Sequence, residues 1–262
     1  MRQHLLLPGG DFEPADFADC KLWLRADGGN FTKDGSNLIS QWDDLSGQGN
    51  HALNAGADAT KPAFSADEIS AGVGAAVFDG TNDKATITND ASLVLGTGDF
   101  TYVFAMKLTT PDTSGTPFVH TATGNGTGGG TSHGYDLFHR NTARIQATIN
   151  LDGTQYTQDF TGLASPRVLT LITRVDRSGF MRTYLDGVAH GTPRDISSQV
   201  AFSIGAPASG VMLAELANGS SDWDSAMAEV ILYKRLLTVG ETNTLGEYMA
   251  ARYGTSWTDV TA

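Results

Sequence analysis

Carboxylates dominate the reactive side chains of this chain: 29 Asp and Glu against 17 Lys and Arg, with six His and one Cys. Cutting a glycosidic bond with carboxylates takes two of them facing one groove, which on a strand means alternate positions. Glu229 stands alone in its apolar stretch, Ala226-Met-Ala-Glu-Val-Ile-Leu-Tyr-Lys-Arg-Leu236, and Glu215 is the only other strand-borne glutamate in the last third. His4, His51, His120, His133, His139 and His190 lack zinc-ligand spacing. The sharp strand-to-helix elbow of a serine hydrolase is missing. Cys20 has no partner for an internal disulfide and sits beside Leu22 and Leu24, so a buried, inert thiol is expected. The glycine loop from Gly124 to Gly134 lacks the Gly-Lys-Ser/Thr ending of a phosphate loop and reads as a rim loop compatible with glycan contact.

Hard cations take carboxylate, amide and backbone oxygens from irregular loops. Two stretches offer them, Asp79-Gly-Thr-Asn-Asp83 and Asp43-Asp-Leu-Ser-Gly-Gln-Gly-Asn50. In the first, Asp79, Asn82 and Asp83 are candidate ligands for a structural Ca²⁺; the competing account is an Asx turn, in which these side chains bond their own backbone. Sugar stacking needs an aromatic ring beside polar groups. Trp223, between Asp222 and Asp224 in a polar loop, fits that description, and its alternative is a lid folded onto the core. Tyr135 and His133, beside the glycine loop, are further ligand candidates.

The elements that must position these groups read as strands. Phe100, Tyr102, Phe104, Met106 and Leu108 alternate on one face of 100–108. Strands are expected at 21–26, 38–42, 75–79, 84–88, 117–122, 135–140, 143–150, 155–160, 167–175, 180–185, 188–190, 201–205 and 211–216. The stretch 226–236 is apolar on both faces and should lie centrally, with Ala228, Val230 and Leu232 on one side and Met227, Ile231 and Tyr233 on the other. Glu229 then needs a partner or water. Thr238 and Glu241 form a capping box for a helix with Leu245, Tyr248 and Met249 on one face, ending near Gly254. The expected fold class is all-β: an antiparallel two-sheet jelly-roll sandwich with a C-terminal helix. The division is an N-terminal arm at 1–17 and one domain at 18–262.

Several motifs line up in order: Leu22-Trp-Leu-Arg-Ala26, Trp42-Asp-Asp-Leu-Ser-Gly-Gln-Gly-Asn-His-Ala52, Val77-Phe-Asp-Gly-Thr-Asn-Asp83, Tyr184-Leu-Asp-Gly187 and Ala228-Glu-Val-Ile-Leu-Tyr-Lys-Arg235. Together they resemble the laminin-G-like branch of the concanavalin A-like lectin/glucanase superfamily, over roughly residues 18 to 257. The resemblance implies a concanavalin A-like jelly roll, modules that often bind glycans or proteins without catalysis, and a calcium ion near one rim in many members. It also implies what a catalytic member would carry. The Glu-x-Asp-x-x-Glu strand of laminarinase-type enzymes is absent here. A lyase would need Arg, His, Gln and Tyr on neighbouring strands, for which His120, His139, Arg144, Gln146 and Tyr135 are available.

A net charge of −12 without a basic cluster argues against a nucleic-acid partner. No apolar run approaches a membrane span, and Met1 to Gly10 has too short an apolar core for a signal peptide. The expected function is a non-catalytic binding or structural module, with glycans or other virion or surface proteins as partners. The expected setting is the virion surface, as a phage decoration, spike or tail-associated protein, where release by lysis needs no export signal. Self-association into a homo-oligomer belongs to the same reading. Set against it are a polysaccharide-cleaving lyase or hydrolase and a bacterial surface adhesin.

Overall fold

The computed structural model describes residues 12–109, 115–121, 134–140, 144–206, 210–214 and 223–261. Two nine-stranded antiparallel sheets face each other. The first runs, strand by strand, Val188–Ala189, Phe180–Leu185, Arg167–Val175, Phe100–Leu108, Asp224–Tyr233, Val73–Asp79 and Ala63–Ser70, with Cys20–Arg25 also on Asp224–Tyr233 and Arg194–Asp195 also on Phe180–Leu185. The second runs Thr154–Phe160, Arg144–Leu151, Gly134–Arg140, Gly115–Thr121, Val211–Leu213, Ala85–Ile87, Ala52–Leu53, Ile39–Trp42 and Phe31–Lys33. The expected all-β, two-sheet sandwich is the observed fold. The alternating ring face of Phe100–Leu108 fills the space between the sheets together with Phe118, Leu137, Ile149 and Leu171. That placement removes large apolar areas from water at about 25 cal/mol per Å².

Asp224–Tyr233 is central, as its two apolar faces require. Phe100–Leu108 pairs along one side. On the other side Val73–Asp79 pairs with residues 224–227, and Cys20–Arg25 pairs from 229 onward. A β-bulge between Met227 and Glu229 marks the change of neighbour. The extra residue re-phases the strand. Met227, Val230 and Leu232 therefore point between the sheets, while Ala226, Ala228, Ile231 and Tyr233 point outward. Strict alternation had put Met227 and Ala228 each on the opposite side. Period-2 reasoning cannot register one inserted residue, so both assignments are corrected.

The helix Val239–Tyr253 covers that outward face. Thr238 accepts from Glu241 N at 3.2 Å, Glu241 returns the bond, and Gly254 ends the helix at φ 67°. The expected capping box and stop are both present. Leu245 and Met249 are buried as expected, with Tyr253, while Tyr248 is half-buried. Gly246 presses on the Trp257 ring so closely that a Cβ would fall 2.1 Å from it, so this helical turn requires glycine. Phe12 and Phe17 pack on the same cluster, and Tyr233 OH donates to Pro14 O at 2.8 Å, which ties residues 12–17 to the domain.

One expected strand is not formed and one observed strand was not expected. Residues 201–205 make only a single bridge, Ile204 to Gly96. Ala63–Ser70 is an edge strand that alternation missed, because its Ala, Ser, Asp and Glu residues lie mostly at the surface and carry no apolar period.

Candidate functional site

The second sheet has one face in the core and one turned away from the first sheet. Leu137, Ile145, Ala147, Ile149, Leu151 and Phe160 point inward. The intervening positions on Gly134–Arg140, Arg144–Leu151 and Thr154–Phe160 therefore point outward. Register sets Arg140 opposite Arg144, Phe138 opposite Gln146, Asp136 opposite Thr148, and Gln146 opposite Asp159. The outward side chains form a cross-strand ladder. Arg140 Nη2 donates to Gln146 Oε1 at 3.1 Å, Gln146 Nε2 donates to Asp159 Oδ1 at 2.9 Å, and Arg144 Nε lies 3.5 Å from the same carboxylate. Arg140 also sits 4.5 Å above the Phe138 ring. Along the sheet, Asn150 Nδ2 donates to Asp136 at 3.3 Å and the Thr148 and Thr157 hydroxyls meet at 3.3 Å. Neighbouring like charges and burial hold Arg140 below its ordinary range, burial being the larger cause. Asp136, Thr148 and Asn150 are buried, as is Phe138, so the part of this face open to a ligand is the half-buried to exposed Arg140, Arg144, Gln146 and Asp159 end. The amide, guanidinium and carboxylate groups of this platform are the donors and acceptors that hydroxyl-rich or peptide ligands match.

The structure distributes the expected site residues differently. Trp223 is 1% exposed and packs on Phe78 with ring centroids 5.7 Å apart. It presents no ring face to a sugar, and the stacking role is corrected to a core role: the ring joins the cluster between the sheets, against Phe78. Tyr135 is also fully buried, its hydroxyl bonded to Thr173 at 2.9 Å, and it stacks on Tyr102 between the sheets. That too corrects its assignment as a ligand contact, since residue 135 falls on the inward phase of its strand. Asp224 is half-buried and pairs across the ladder with Asp79. Asp222 and His133 lie outside the described residues.

Asp79 accepts from Thr81 N at 2.8 Å, and Asp83 accepts from Asp79 N at 3.0 Å. These are bonds within one turn, and burial raises the Asp83 carboxyl to about 6. Asn82 is exposed and Asp79 also bonds its amide at 3.4 Å. Among the described residues no three His, Cys, Asp or Glu side chains group as metal ligands do. The donor set of this turn thus fits backbone capping rather than a calcium cage. The second stretch behaves likewise. Asp44 accepts from Trp23 N, Ser46 N, Ser46 Oγ and Asn50 N, all between 2.7 and 3.0 Å, and so fixes its own loop.

The residues available to a lyase divide between faces. His120, His139 and Tyr135 are fully buried, while Arg144 and Gln146 lie on the outward platform. Burial pushes the His120 imidazole down to about 4. Glu229, the lone strand acid, is sealed beneath the helix. Cys20 is 6% exposed with its thiol raised to about 12 by burial, the inert state expected. Arg140 and Asp159 were missed as site residues. Their signal was present, polar residues alternating with apolar ones on adjoining strands, but only register shows that they meet.

The fold and this outward polar face define a two-sheet, lectin-like sandwich. A family model described as concanavalin A-like lectin/glucanases superfamily matches residues 79–242, and the chain belongs to that superfamily. No curated protein sequence matches it. Among solved structures it is similar to the binding domain of botulinum neurotoxin serotype G, at 15% identity and TM-score 0.62, covering 88% of this chain and 51% of that one. It is similar to the binding domain of Paraclostridial Mosquitocidal Protein 1, at 13% identity and TM-score 0.61, covering 89% and 52%. A third is the ligand binding domain of botulinum neurotoxin serotype D in complex with N-acetylneuraminic acid, at 12% identity and TM-score 0.57, covering 88% and 51%. The chain thus spans about half the length of these structures.

Proposed function

We propose that the chain is a non-catalytic binding module that holds a glycan on the outward face of its second sheet. The observation that carries this reading is the Arg140–Gln146–Asp159–Arg144 ladder: planar polar groups, held in register by paired strands, at the surface. Such groups make the bidentate hydrogen bonds that vicinal hydroxyls satisfy. The division of ionisable side chains between inner and outer faces supports binding over bond cleavage, because acid and base must converge on one substrate. The solved relatives support the same class, since one is a complex with N-acetylneuraminic acid. A protein receptor is the second reading, favoured by a similar domain solved in complex with rat synaptotagmin II. The setting proposed for either is the virion surface, as a decoration, spike or tail-associated protein.

The test is incubation with a panel of bacterial surface polysaccharides, scoring retention and new chain ends together. Retention without new ends, lost in Gln146→Ala, is the expected result. New chain ends would overturn the non-catalytic reading. Retention by a protein partner alone would shift the reading to the receptor class. Immunogold labelling of particles against host cells checks the setting.

A further inference from the structure

Beside the glycan face lies a crevice of different construction. The edge hairpin of the first sheet, Phe180–Leu185 with Val188–Ala189, stands against the edge strand of the second, Thr154–Phe160; Gln158 Nε2 bridges them to His190 O at 3.0 Å and Thr192 O at 3.4 Å. The C-terminal segment closes the third side, with Thr258 N donating to Asp186 O at 3.1 Å. Gly187, at φ 80°, is needed there, because a Cβ would fall 1.9 Å from Thr258 O. The cavity so formed measures about 500 Å³ and is lined by Gln158, Arg182, His190, Thr258, Asp259 and Thr261, among others. Small-molecule sites typically span about 300–1,000 Å³. A second cavity of about 270 Å³ shares Val188, His190 and Thr258 with it.

Two polar groups of this crevice lack partners. Gln158 is 3% exposed. Its amide nitrogen faces two carbonyls, so the amide orientation is determined, and the buried Oε1 has no hydrogen bond. A buried acceptor left this way keeps its desolvation penalty without a compensating hydrogen bond. Arg182 stands directly opposite Arg174 across the hairpin, a like-charge pair that paired strands disfavour. Among the described residues Arg182 has no salt-bridge partner; its guanidinium lies 5.0 Å from the Phe180 ring centroid. Nearby acids are engaged elsewhere. Asp186 holds Arg167 at 2.5 Å, and Asp176 accepts from Ser178 N and Oγ. A guanidinium that stacks on a ring but has no carboxylate partner among the described residues can take an anion from the cavity beside it. Asp259 in the same lining disfavours a phosphate dianion and suits hydroxyl donors.

We propose that this crevice binds one carboxylate-bearing saccharide unit, a hexuronic or sialic acid class residue. Arg182 holds the carboxylate, and Asp259 accepts from ring hydroxyls. The proposal rests on the glycan-binding reading and adds to it the charge class of the sugar and a subsite apart from the outward platform.

Titration calorimetry of the full chain with methyl β-glucuronide, methyl β-glucoside and inorganic phosphate tests it, using the wild type, Arg182→Gln and Gln146→Ala. The expected result is glucuronide bound roughly tenfold or more tighter than glucoside, as a charge-assisted hydrogen bond implies, with phosphate not bound. Arg182→Gln should abolish that preference while its melting temperature stays at the wild-type value. Equal affinity for the two glycosides, phosphate binding, or a preference that survives Arg182→Gln overturns the crevice. If Gln146→Ala abolishes binding and Arg182→Gln does not, the crevice proposal falls and the platform stands. If neither glycoside binds but the polysaccharide panel is retained, the crevice again falls alone. Failure of both removes the glycan reading altogether.

Discussion

A buried polar cluster lies under the helix of the first sheet and an open one lies where its hairpin edge meets the edge strand of the second, and they obey opposite rules. Beneath the helix, Glu229 is fully buried and accepts from Trp23 Nε1, from Tyr248 OH at 3.1 Å and from Tyr253 OH at 2.6 Å. Arg25 and Arg252 both bind Asp27 beside it, so the surrounding charges are matched as well. Burial raises the Glu229 carboxyl, and the Tyr253 and Trp23 bonds pull it back. At the hairpin edge, Gln158 Oε1 and Arg182 have no such completion. The Glu229 carboxylate already accepts three hydrogen bonds and has little capacity left for a ligand, although Arg252 Nε beside it is unpartnered; an incomplete group gains by finding a partner. Burial and an unusual carboxyl alone would have pointed to Glu229. The hydrogen-bond inventory points away from it.

That contrast can be broken by mutation. The largest effect is expected from Glu229→Ala, which orphans three donors and should cost about 3 kcal/mol or more in urea unfolding. Glu229→Gln keeps an acceptor and should cost clearly less. The raised carboxyl penalises only the ionised wild type, so the glutamine variant should gain on it as pH rises. A loss of less than about 1 kcal/mol for Glu229→Ala would mean that the helix clamp is not structural. Thr238→Ala removes the helix cap and should cost about 1 kcal/mol. Gln158→Ala lies between the two regions, losing two bonds to carbonyls but also an unpartnered acceptor. Arg182→Gln should move stability by less than about 0.5 kcal/mol, since its change belongs to binding; a larger loss would place Arg182 among the structural residues.

The turn at Asp79–Asp83 gives an effect that depends on pH. The Asp83 carboxyl, raised by burial from its ordinary range to about 6, holds its proton more tightly when folded. Its contribution to stability therefore falls between about pH 4 and 6 and is constant above. Asp83→Asn keeps the bond to Asp79 N without that charge. Relative to the wild type it should gain roughly 1–2 kcal/mol across this window, read from melting temperatures at pH 4 and pH 7. Chelation should leave the melting temperature unchanged, because these carboxylates cap their own turn. A drop on chelation would establish a metal and reopen the calcium expectation for Asp79, Asn82 and Asp83.

Local signals made the sandwich legible. The ring face of Phe100–Leu108, the doubly apolar stretch around Val230, and the Thr238–Glu241 box each follow from spacing alone, because strand alternation and helix capping are properties of neighbours in the chain. The buried state of Cys20 followed for the same reason. The site was less legible. Trp223 sits in a stretch as polar as any exposed loop, yet it packs on Phe78, a contact between residues 145 positions apart in the numbering. The bulge at Ala228 turns two side chains about and nothing in the local residues marks it. The Arg140–Asp159 platform and the Arg182 crevice exist only because separate strands are brought into register. Which face a residue occupies is a local matter of period. Which distant side chains it meets, and whether its hydrogen bonds are completed there, depends on the packing of the whole sandwich.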